Sequence, residues 1–301
     1  MAILMYDKSK ACEYCYVRFF SFSLISKLLM SLSFSVLLSL YFKESPIFLR
    51  QSLESVFNQT LSPNEVVLVK DGPLTNELEQ VLSEYTVRYP NLKIVSLPQN
   101  QGLGKALNEG LKHCSYDLVA RMDTDDICKL NRFEKQIEVF KENPEVDIIS
   151  SWIDEFEGES SNVISTRRLP KTHDEIYRYA QKRNPMNHPV VMFKKKSVLA
   201  AGGYMHFHLF EDYYLWVRML LNGAKFYNVQ ESLLLFRFSS DMFKRRGGFK
   251  YACTEAKFQW HIYKLGFLSF NEACLNIFIR FGSRVIPNGL RSWMYKKILR
   301  R

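Results

Sequence analysis

Three carboxylates follow a short apolar run in the sequence LVARMDTDDIC, which covers residues 118–128. They are Asp123, Asp125 and Asp126. Carboxylates this close repel one another unless a cation lies between them, and a helix cap needs only one acid. Carboxylate oxygens are suitable ligands for Mg²⁺ or Mn²⁺, and such an ion can stabilise charge on a departing phosphate. We therefore favour a divalent-cation site over a solvated turn or a helix cap.

Two further segments place polar residues where a ligand could bind. Asp71 in KDGP follows an apolar run, where it would either form a turn or accept hydrogen bonds from a base or ribose. Lys105 in QGLGKAL could reach a phosphate or remain solvated. The glycines beside it lack the spacing of a dinucleotide-binding loop or of a P-loop, so neither fingerprint is present.

A pair of acids in FEDYYLW begins a predicted helix, where negative charge is favoured by the helix dipole. These acids, Glu211 and Asp212, also have aromatic neighbours, and apolar rings give a carboxylate a reason to become a tuned general base. A helix-start role and a catalytic role are both open at this point. We expect His173 and His188 to be structural.

Apolar runs and amphipathic segments alternate from residue 33 onward, and they have to position these side chains. The runs FSVLLSLY, EVVLV, LKIVSL and DLVARM predict buried strands. Helices are predicted between them, the first with Ser45 as N-cap and Pro46 at its first position, the second starting at Thr75. Such a β-α-β series indicates a parallel sheet with helices on both faces. Ligands bind at the carboxyl ends of its strands, where Ser39, Tyr41, Asp71 and the aspartates lie.

The pattern is looser after residue 126. NRFEKQIEVFKEN predicts a helix, VDIISSW a strand, and residues 155–171 a loop with short strands. HPVVMFKKKSVLAAGGY predicts a strand and a turn at Gly202-Gly203. EDYYLWVRMLLNG predicts a helix that ends at Asn222-Gly223.

The net charge of the chain is concentrated near its C-terminus. The 301 residues include 41 Lys/Arg and 31 Asp/Glu, a formal charge of +10, and 14 Lys/Arg against 3 Asp/Glu fall within residues 237–301. Basic residues alternate with Trp, Tyr, Ile and Leu in residues 290–301, which predicts either contact with an anionic bilayer or ordinary helix packing. A basic tail is also compatible with nucleic-acid binding, but no nucleic-acid motif is present, so no nucleic-acid partner is expected.

Other compositional features suggest an intracellular location. The six cysteines include one isolated CxxC, Cys12–Cys15, which we interpret as chance, and the others are predicted to be reduced thiols. No segment reaches the ~18 apolar residues of a membrane span. We expect residues 1–29 to be an N-terminal extension, with a membrane-surface segment as the alternative. The predicted location is cytoplasmic, with peripheral contact at the inner face of the plasma membrane left open.

Seven segments together resemble a known family. In chain order they are SVLLSLY, SLESVFNQT, VLVKDGP, NQGLGKALNEGL, ARMDTDDIC, HPVVMF and EDYYLWVRMLLNGAKF. About residues 33–238 are similar to the family 2 glycosyltransferases with a GT-A fold, of the bacterial capsule, exopolysaccharide and O-antigen type. The resemblance implies a Rossmann-like, mostly parallel sheet flanked by helices, here followed by a basic helical tail. It also implies a nucleotide-sugar donor, with UDP favoured, a Mn²⁺ or Mg²⁺ cofactor, and inversion at the anomeric carbon.

The resemblance assigns roles by matching positions. Ser39, Tyr41 and Asp71 would hold the nucleoside. Asp123 and Asp125 would bind ribose and metal with support from Asp126, and Lys105 is included as a donor-binding candidate. Asp212 would be the general base, oriented by Glu211. The family often has two acids before the glycine of KDGP, and here the first is Lys70, so Asp71 would be the only acid at the nucleobase.

The resemblance also implies an organisation and a reaction. We divide the chain into the extension 1–29, a donor-binding half 30–127, an acceptor-binding half with the base 128–237, and a basic helical tail 238–301. The QxxRW motif of processive members is absent, and the segment LLLFRFSS occupies roughly its position, so transfer of a single sugar is expected. The acceptor would be a hydroxyl of a glycan or of a polyprenyl-linked saccharide. A sugar nucleotidyltransferase is the alternative, but LYFKESP lacks the glycine-rich loop expected after its first strand. A non-enzymatic nucleic-acid or membrane-surface protein is less favoured.

Overall fold

The computed structural model describes residues 32–238 and 248–285, and the strands in this part of the chain form one nine-stranded sheet. They are β1 (Phe34–Leu40), β2 (Glu65–Lys70), β3 (Leu92–Ser96), β4 (Leu118–Asp123), β5 (Ile127–Cys128), β6 (Ile148–Phe156), β7 (Val163–Arg167), β8 (Met192–Lys194) and β9 (Phe226–Arg237). Their spatial order is β3-β2-β1-β4-β8-β6-β9-β5, with β7 paired to β6.

The first four strands form the predicted parallel half of the sheet. β1 lies between β2 and β4, and β2 is followed outward by β3, all in parallel register. The chain therefore moves outward from β1 to β3 and then returns to the other side of β1. The strand order reverses between β1 and β4, and open α/β sheets bind ligands outside the carboxyl ends of their strands at such a point. Ser39 is paired with Asp123 at this point, so two predicted site residues are neighbours.

The second half of the sheet mixes strand directions. β8 is antiparallel to both β4 and β6, whereas β9 runs parallel to β6. β5 pairs with the end of β9 in antiparallel register, Ile127 opposite Leu235. The pairing brings the last residue of β9, Arg237, next to the turn that carries the aspartates.

Nine helices occur in the described residues. They are α1 (Pro46–Phe57), α2 (Asn76–Arg88), α3 (Leu103–His113), α4 (Arg132–Glu142), α5 (His173–Ala180), α6 (Lys195–Ala200), α7 (Glu211–Leu221), α8 (Phe249–Lys264) and α9 (Phe270–Val285), with a 3₁₀ turn at His188–Val190.

Buried side chains form two clusters: Leu37 packs in one with residues of α3 and α7, and Leu38 in the other with residues of α1, α2 and α4. Because successive residues of a strand face opposite sides, the continuous apolar runs are explained by helices on both faces.

Three local details differ from the sequence-based expectations. Ser45 stands at the N-cap of α1, but its side chain makes no capping hydrogen bond; its backbone N–H donates to Glu44 Oε1 at 2.8 Å. Helix α6 lies between the predicted strand and the turn predicted at Gly202-Gly203, in residues for which no helix was expected, because a helix of six residues is too short to show a clear period. Strand β6 extends to Phe156, beyond the predicted end at Trp152.

The C-terminal tail is helical where the structure describes it, in α8 and α9. No helix among the described residues is long and apolar enough to cross a membrane. The predictions for residues 1–29 and 290–301 lie outside the described residues. The division into donor and acceptor halves at residue 127 stays a prediction, since one sheet runs through both.

Candidate functional site

The three aspartates lie together at the carboxyl end of β4. Each offers a carboxylate oxygen within 4.8 Å of the others. Asp123 and Asp125 are half-buried, and Asp126 is fully buried. Burial, followed by the charges of Asp123 and Glu44, raises the pKa of Asp125 to about 7. Burial and then the charge of Asp125 raise the pKa of Asp126 well above its ordinary value, so the ionised cluster is costly without a cation.

A fourth carboxylate, Glu44, joins the cluster from the loop between β1 and α1. Its Oε2 accepts a hydrogen bond from the Thr124 hydroxyl at 3.1 Å. Burial raises the pKa of Glu44, and the nearby charge of Asp123 adds to the increase. Sequence reasoning missed this residue. The available signal was an acid in LYFKESP, just after a strand that ends at the ligand-binding edge.

Asp123 is paired with a buried cation on its own strand. Arg121, only 1% exposed, donates from Nη1 to Asp123 Oδ2 at 2.5 Å and from Nη2 to Oδ1. Both oxygens of Asp123 are therefore already hydrogen-bonded, whereas no residue described by the structure forms an ion pair with Asp125. Asp126 Oδ2 is buried and has no hydrogen-bond partner within the described chain. The unpartnered oxygen of Asp126 and the carboxylate of Asp125 are of a type that fits a hard cation. The predicted metal roles of Asp123 and Asp125 stay predictions.

Arg237, at the end of β9, fixes the turn that carries the aspartates. Its backbone N–H donates to Asp126 Oδ1 at 2.8 Å, and its Nε donates to the backbone oxygen of Asp125 at 2.9 Å. The guanidinium lies over the rings of Phe48 and Phe156, 3.8 and 4.6 Å from their centroids. The sequence analysis used the segment LLLFRFSS only to show that the QxxRW motif is absent, and it did not identify Arg237 as a site residue.

Asp71 connects the end of β2 to the loop before α3. Its carboxylate accepts hydrogen bonds from the backbone N–H groups of Gln101 at 2.7 Å and Gly102 at 3.0 Å. Gly72 has a φ of +91°, and a Cβ there would lie 2.6 Å from the backbone nitrogen of Asn100. Asp71 is thus part of a built turn, which was one of the two roles left open, and its contact with a nucleoside stays a prediction.

The other predicted donor-binding residues lie around the same edge of the sheet. Ser39 is half-buried at the end of β1, and Tyr41 follows it with 40% of its side chain exposed. Lys105 is exposed in the first turn of α3 and has no ion pair with any described residue. Lys70, which replaces the first acid expected before Gly72, instead pairs with Glu79 at 2.5 Å.

The first turn of α7 carries the predicted general base. Asp212 Oδ2 accepts a hydrogen bond from Asn184 Nδ2 at 2.7 Å, and its Oδ1 accepts one from the backbone N–H of Tyr213 at 2.7 Å. Glu211 is half-buried, and burial raises its pKa; its Oε1 lies 3.6 Å from His206 Nδ1. The side chain that contacts Asp212 is therefore Asn184, which sequence reasoning missed, and the predicted orienting role of Glu211 is untested.

Tyr204 lies within electrostatic range of both parts of the site. Burial raises the pKa of its hydroxyl, the charge of Arg121 opposes this, and the charges of Asp212 and Asp123 add to it. Its hydroxyl is 2.9 Å from His188 Nε2. Asp212, the candidate general base, and Asp123 of the aspartate cluster therefore both lie near Tyr204. His188, which was expected to be structural, contacts the hydroxyl of Tyr204.

Known proteins are similar in sequence to this chain over most of its length. Residues 35–202 match the family model described as Glycosyl transferase family 2. The chain is 42% identical over 268 residues to an Escherichia coli protein named UDP-Gal:alpha-D-GlcNAc-diphosphoundecaprenol beta-1,3-galactosyltransferase, covering 89% of this chain and 97% of the relative. It is 40% identical over 264 residues to the amylovoran biosynthesis glycosyltransferase AmsE of Erwinia amylovora, covering 88% and 98% of the two chains.

Solved structures share the fold. TarS 1-349 of S. aureus in complex with UDP-GlcNAc superposes with a TM-score of 0.62 at 17% identity, covering 89% of this chain and 76% of that one. The mannosyltransferase PcManGT of Pyrobaculum calidifontis, in complex with GDP-Man and Mn²⁺, gives 0.56 at 16% identity, covering 80% and 66%. The predicted α/β fold is confirmed by these matches. The chain belongs to glycosyltransferase family 2 and has the GT-A fold, in common with enzymes of bacterial exopolysaccharide and O-antigen biosynthesis.

Proposed function

We propose that this enzyme transfers one hexose from a UDP-sugar to a hydroxyl of a lipid-linked saccharide, with inversion and with a divalent cation. The main observation is the cluster of Asp123, Asp125 and Asp126, in which one buried carboxylate oxygen has no partner among the described residues. The cluster lies where the strand order reverses, the position at which open α/β sheets bind nucleotides.

Asp125 and Asp126 would hold Mn²⁺ or Mg²⁺, with Asp123 beside them. When bound, the ion supplies positive charge that stabilises the departing diphosphate. Arg121 fixes the position of Asp123 through hydrogen bonds to both of its oxygens, which leaves that carboxylate suited to a ribose hydroxyl. The Mn²⁺ in the mannosyltransferase neighbour supports the same kind of site here.

The donor nucleoside would lie along the carboxyl ends of β1 and β2. Tyr41 is exposed enough to stack on a base, and Ser39 is adjacent to Asp123. Asp71 has backbone donors on both oxygens, and each oxygen retains a second lone pair for a base or ribose donor. Lys105 would approach the diphosphate from the first turn of α3.

Asp212 would accept the proton of the acceptor hydroxyl as that oxygen attacks the anomeric carbon. Attack from the side opposite the departing UDP forms the new glycosidic bond and inverts the configuration. The proton passes to Asp212, and the electron pair of the broken bond leaves with UDP. The hydrogen bond from Asn184 holds the carboxylate in place during this transfer.

UDP-galactose is the first donor to test, and an N-acetylglucosamine linked through a diphosphate to a lipid is the first acceptor, because a relative covering 89% of this chain carries both in its name. The enzyme would then act in the cytoplasm, at the inner membrane surface, in the synthesis of a capsule, exopolysaccharide or O-antigen. Absence of the QxxRW motif supports transfer of one sugar per acceptor.

The test is to incubate the purified enzyme with radiolabelled UDP-galactose and a short-chain GlcNAc-diphosphate lipid, with Mn²⁺ or with EDTA. We expect a product only with the cation, extended by one sugar and with an inverted anomeric centre by NMR. A panel of other UDP- and GDP-sugars tests the donor. Formation of a UDP-sugar from UTP and a sugar phosphate would instead support the nucleotidyltransferase alternative.

A further inference from the structure

The outer face of α9 exposes a mostly apolar stripe, in which Asn271 is a polar member. Phe278 is 80% exposed, and Phe270, Leu275 and Ile279 are each more than half exposed. The exposed Cys274 completes the set. Successive members of this apolar set are one, three or four positions apart, so they lie on one side of the helix, and the stripe contains no charged residue. A monomer rarely leaves such a face in water without a function.

The opposite face of α9 packs against α8 through hydrogen bonds and ion pairs. The stripe is therefore not the face by which α9 joins the rest of the protein. Arg280 donates to Glu255 Oε1, and Arg284 Nε donates to Glu255 Oε2 at 2.9 Å. Glu255 belongs to α8 and is only 1% exposed, and Asn276 Nδ2 donates to Gln259 Oε1 of the same helix at 3.0 Å. These contacts fix the rotation of α9 about its axis, with the stripe facing outward.

The same helix contacts the loop after α5, which contains Asn184, the residue that donates a hydrogen bond to the proposed general base Asp212. Asn276 Nδ2 donates to the backbone oxygen of Gln181 at 2.8 Å, and Arg280 donates to that of Lys182. Two residues further along this loop, Asn184 donates to Asp212. The stripe therefore lies on the element next to the acceptor side of the site.

The sequence that contains the stripe and follows it is rich in positive charge. Residues 248–285 contain five Lys/Arg and two Asp/Glu, and residues 286–301 contain five Lys/Arg and no acid. We propose that the exposed face of α9 docks on an anionic phospholipid bilayer, with its apolar side chains at the boundary of headgroups and acyl chains. Resting on the proposed lipid-linked acceptor, this docking would place the acceptor's sugar beside Asp212 while its lipid stays in the bilayer.

A second copy of the chain would fit the stripe less well. The apolar residues from Phe270 to Ile279 cover roughly 14 Å along the helix. A stable dimer needs about 800 Å² of surface from each partner, more than five side chains in one row supply. A bilayer has no such minimum, because apolar anchors and surface charge both add to its affinity.

The experiment uses the full chain and a pair of variants with the same change. Phe278→Glu alters the stripe, and Val87→Glu alters a residue on α2 that is 84% exposed. Cosedimentation is measured with vesicles of phosphatidylcholine and phosphatidylglycerol, without donor or acceptor. We expect wild type and Val87→Glu to bind alike, and Phe278→Glu to bind at least about fivefold more weakly, since an inserted ring is lost. Ile279→Gln, checked by thermal melting, should weaken binding in the same direction if Phe278→Glu does not fold.

Equal binding by wild type and Phe278→Glu, or no binding by the wild type, would overturn the docking proposal. So would a wild-type dimer, seen by sedimentation velocity, that Phe278→Glu converts to monomer. Vesicle binding is independent of catalysis. Retained vesicle binding without sugar transfer would count against the proposed function and leave the docking surface intact.

Discussion

Asn184 donates a hydrogen bond from its side-chain amide to Asp212, with 2.7 Å between Nδ2 and Oδ2. The other oxygen of Asp212 accepts from the backbone at the start of α7. A carboxylate held at both oxygens has a fixed orientation, which a general base needs in order to meet the hydroxyl it deprotonates. Asn184 therefore acts on the reaction through Asp212 and is a positioning residue in the proposed mechanism.

Asp212→Asn should bind the donor like the wild type and lose sugar transfer, by the ~10²–10⁴-fold that a positioned base contributes. Donor binding is measured by thermal shift with Mn²⁺ and UDP, and transfer by initial rate. Glu211→Gln is the neighbouring control, for which a smaller loss is expected. If Glu211→Gln abolishes transfer while Asp212→Asn retains it, the two roles are exchanged.

Asn184→Ala should lower kcat by about tenfold and leave the KM for the donor unchanged, because the donor site is intact while the base is less well oriented. Asn222→Ala is the matched control: the Asn222 amide donates to the backbone oxygen of Ala200 at 3.1 Å, away from Asp212. Equal rates for both variants, or a loss confined to KM, would show that Asn184 has no positioning role.

Asp125→Asn should stabilise the metal-free protein increasingly as pH rises. The folded pKa of Asp125, about 7, is above its ordinary value of 3.8. The stability that the neutral carboxyl provides is therefore complete below the unfolded pKa and is lost as pH rises through about 7. In EDTA, the melting temperature of Asp125→Asn relative to wild type should increase from about pH 5 to about pH 8. A difference that stays constant or decreases would contradict the pKa shift.

Gly72→Ala should destabilise the fold by ~1–3 kcal/mol and weaken UDP binding, since it combines a strained backbone with a Cβ close to Asn100. Gly223→Ala separates the two effects, because Gly223 also has a positive φ, +82°, but nothing lies within 4 Å of its Cβ position. Urea denaturation should show a larger loss for Gly72→Ala. An equal loss would mean that the turn adapts to the added methyl group.

The parallel half of the sheet and most of the helices were predictable because their signals are local. Each buried strand is a continuous apolar run, and each early helix shows an apolar face. The aspartates were recognisable for the same reason, since three acids are adjacent in the chain. Their position at a strand end then followed from the general geometry of parallel sheets.

The partners of these residues were not predictable, because they come from distant parts of the chain. The residues of each hydrogen-bonded pair are far apart in the sequence: 80 positions for Thr124 and Glu44, 111 for Asp126 and Arg237, and 28 for Asn184 and Asp212. No periodicity in the sequence reports such contacts; they depend on how β1, β4 and β9 are ordered in the sheet. The antiparallel insertion of β8 between β4 and β6 was missed for the same reason.

The divalent-cation site is tested most directly by titrating Mn²⁺ into the wild type and Asp125→Ala in the presence of UDP, followed by calorimetry and thermal shift. We expect the wild type to bind Mn²⁺ and UDP together and to gain melting temperature, because the ion relieves repulsion among the carboxylates. Asp125→Ala should show neither effect while remaining folded. A wild-type protein whose melting temperature and heat signal do not change with Mn²⁺ and UDP would contradict the cation site.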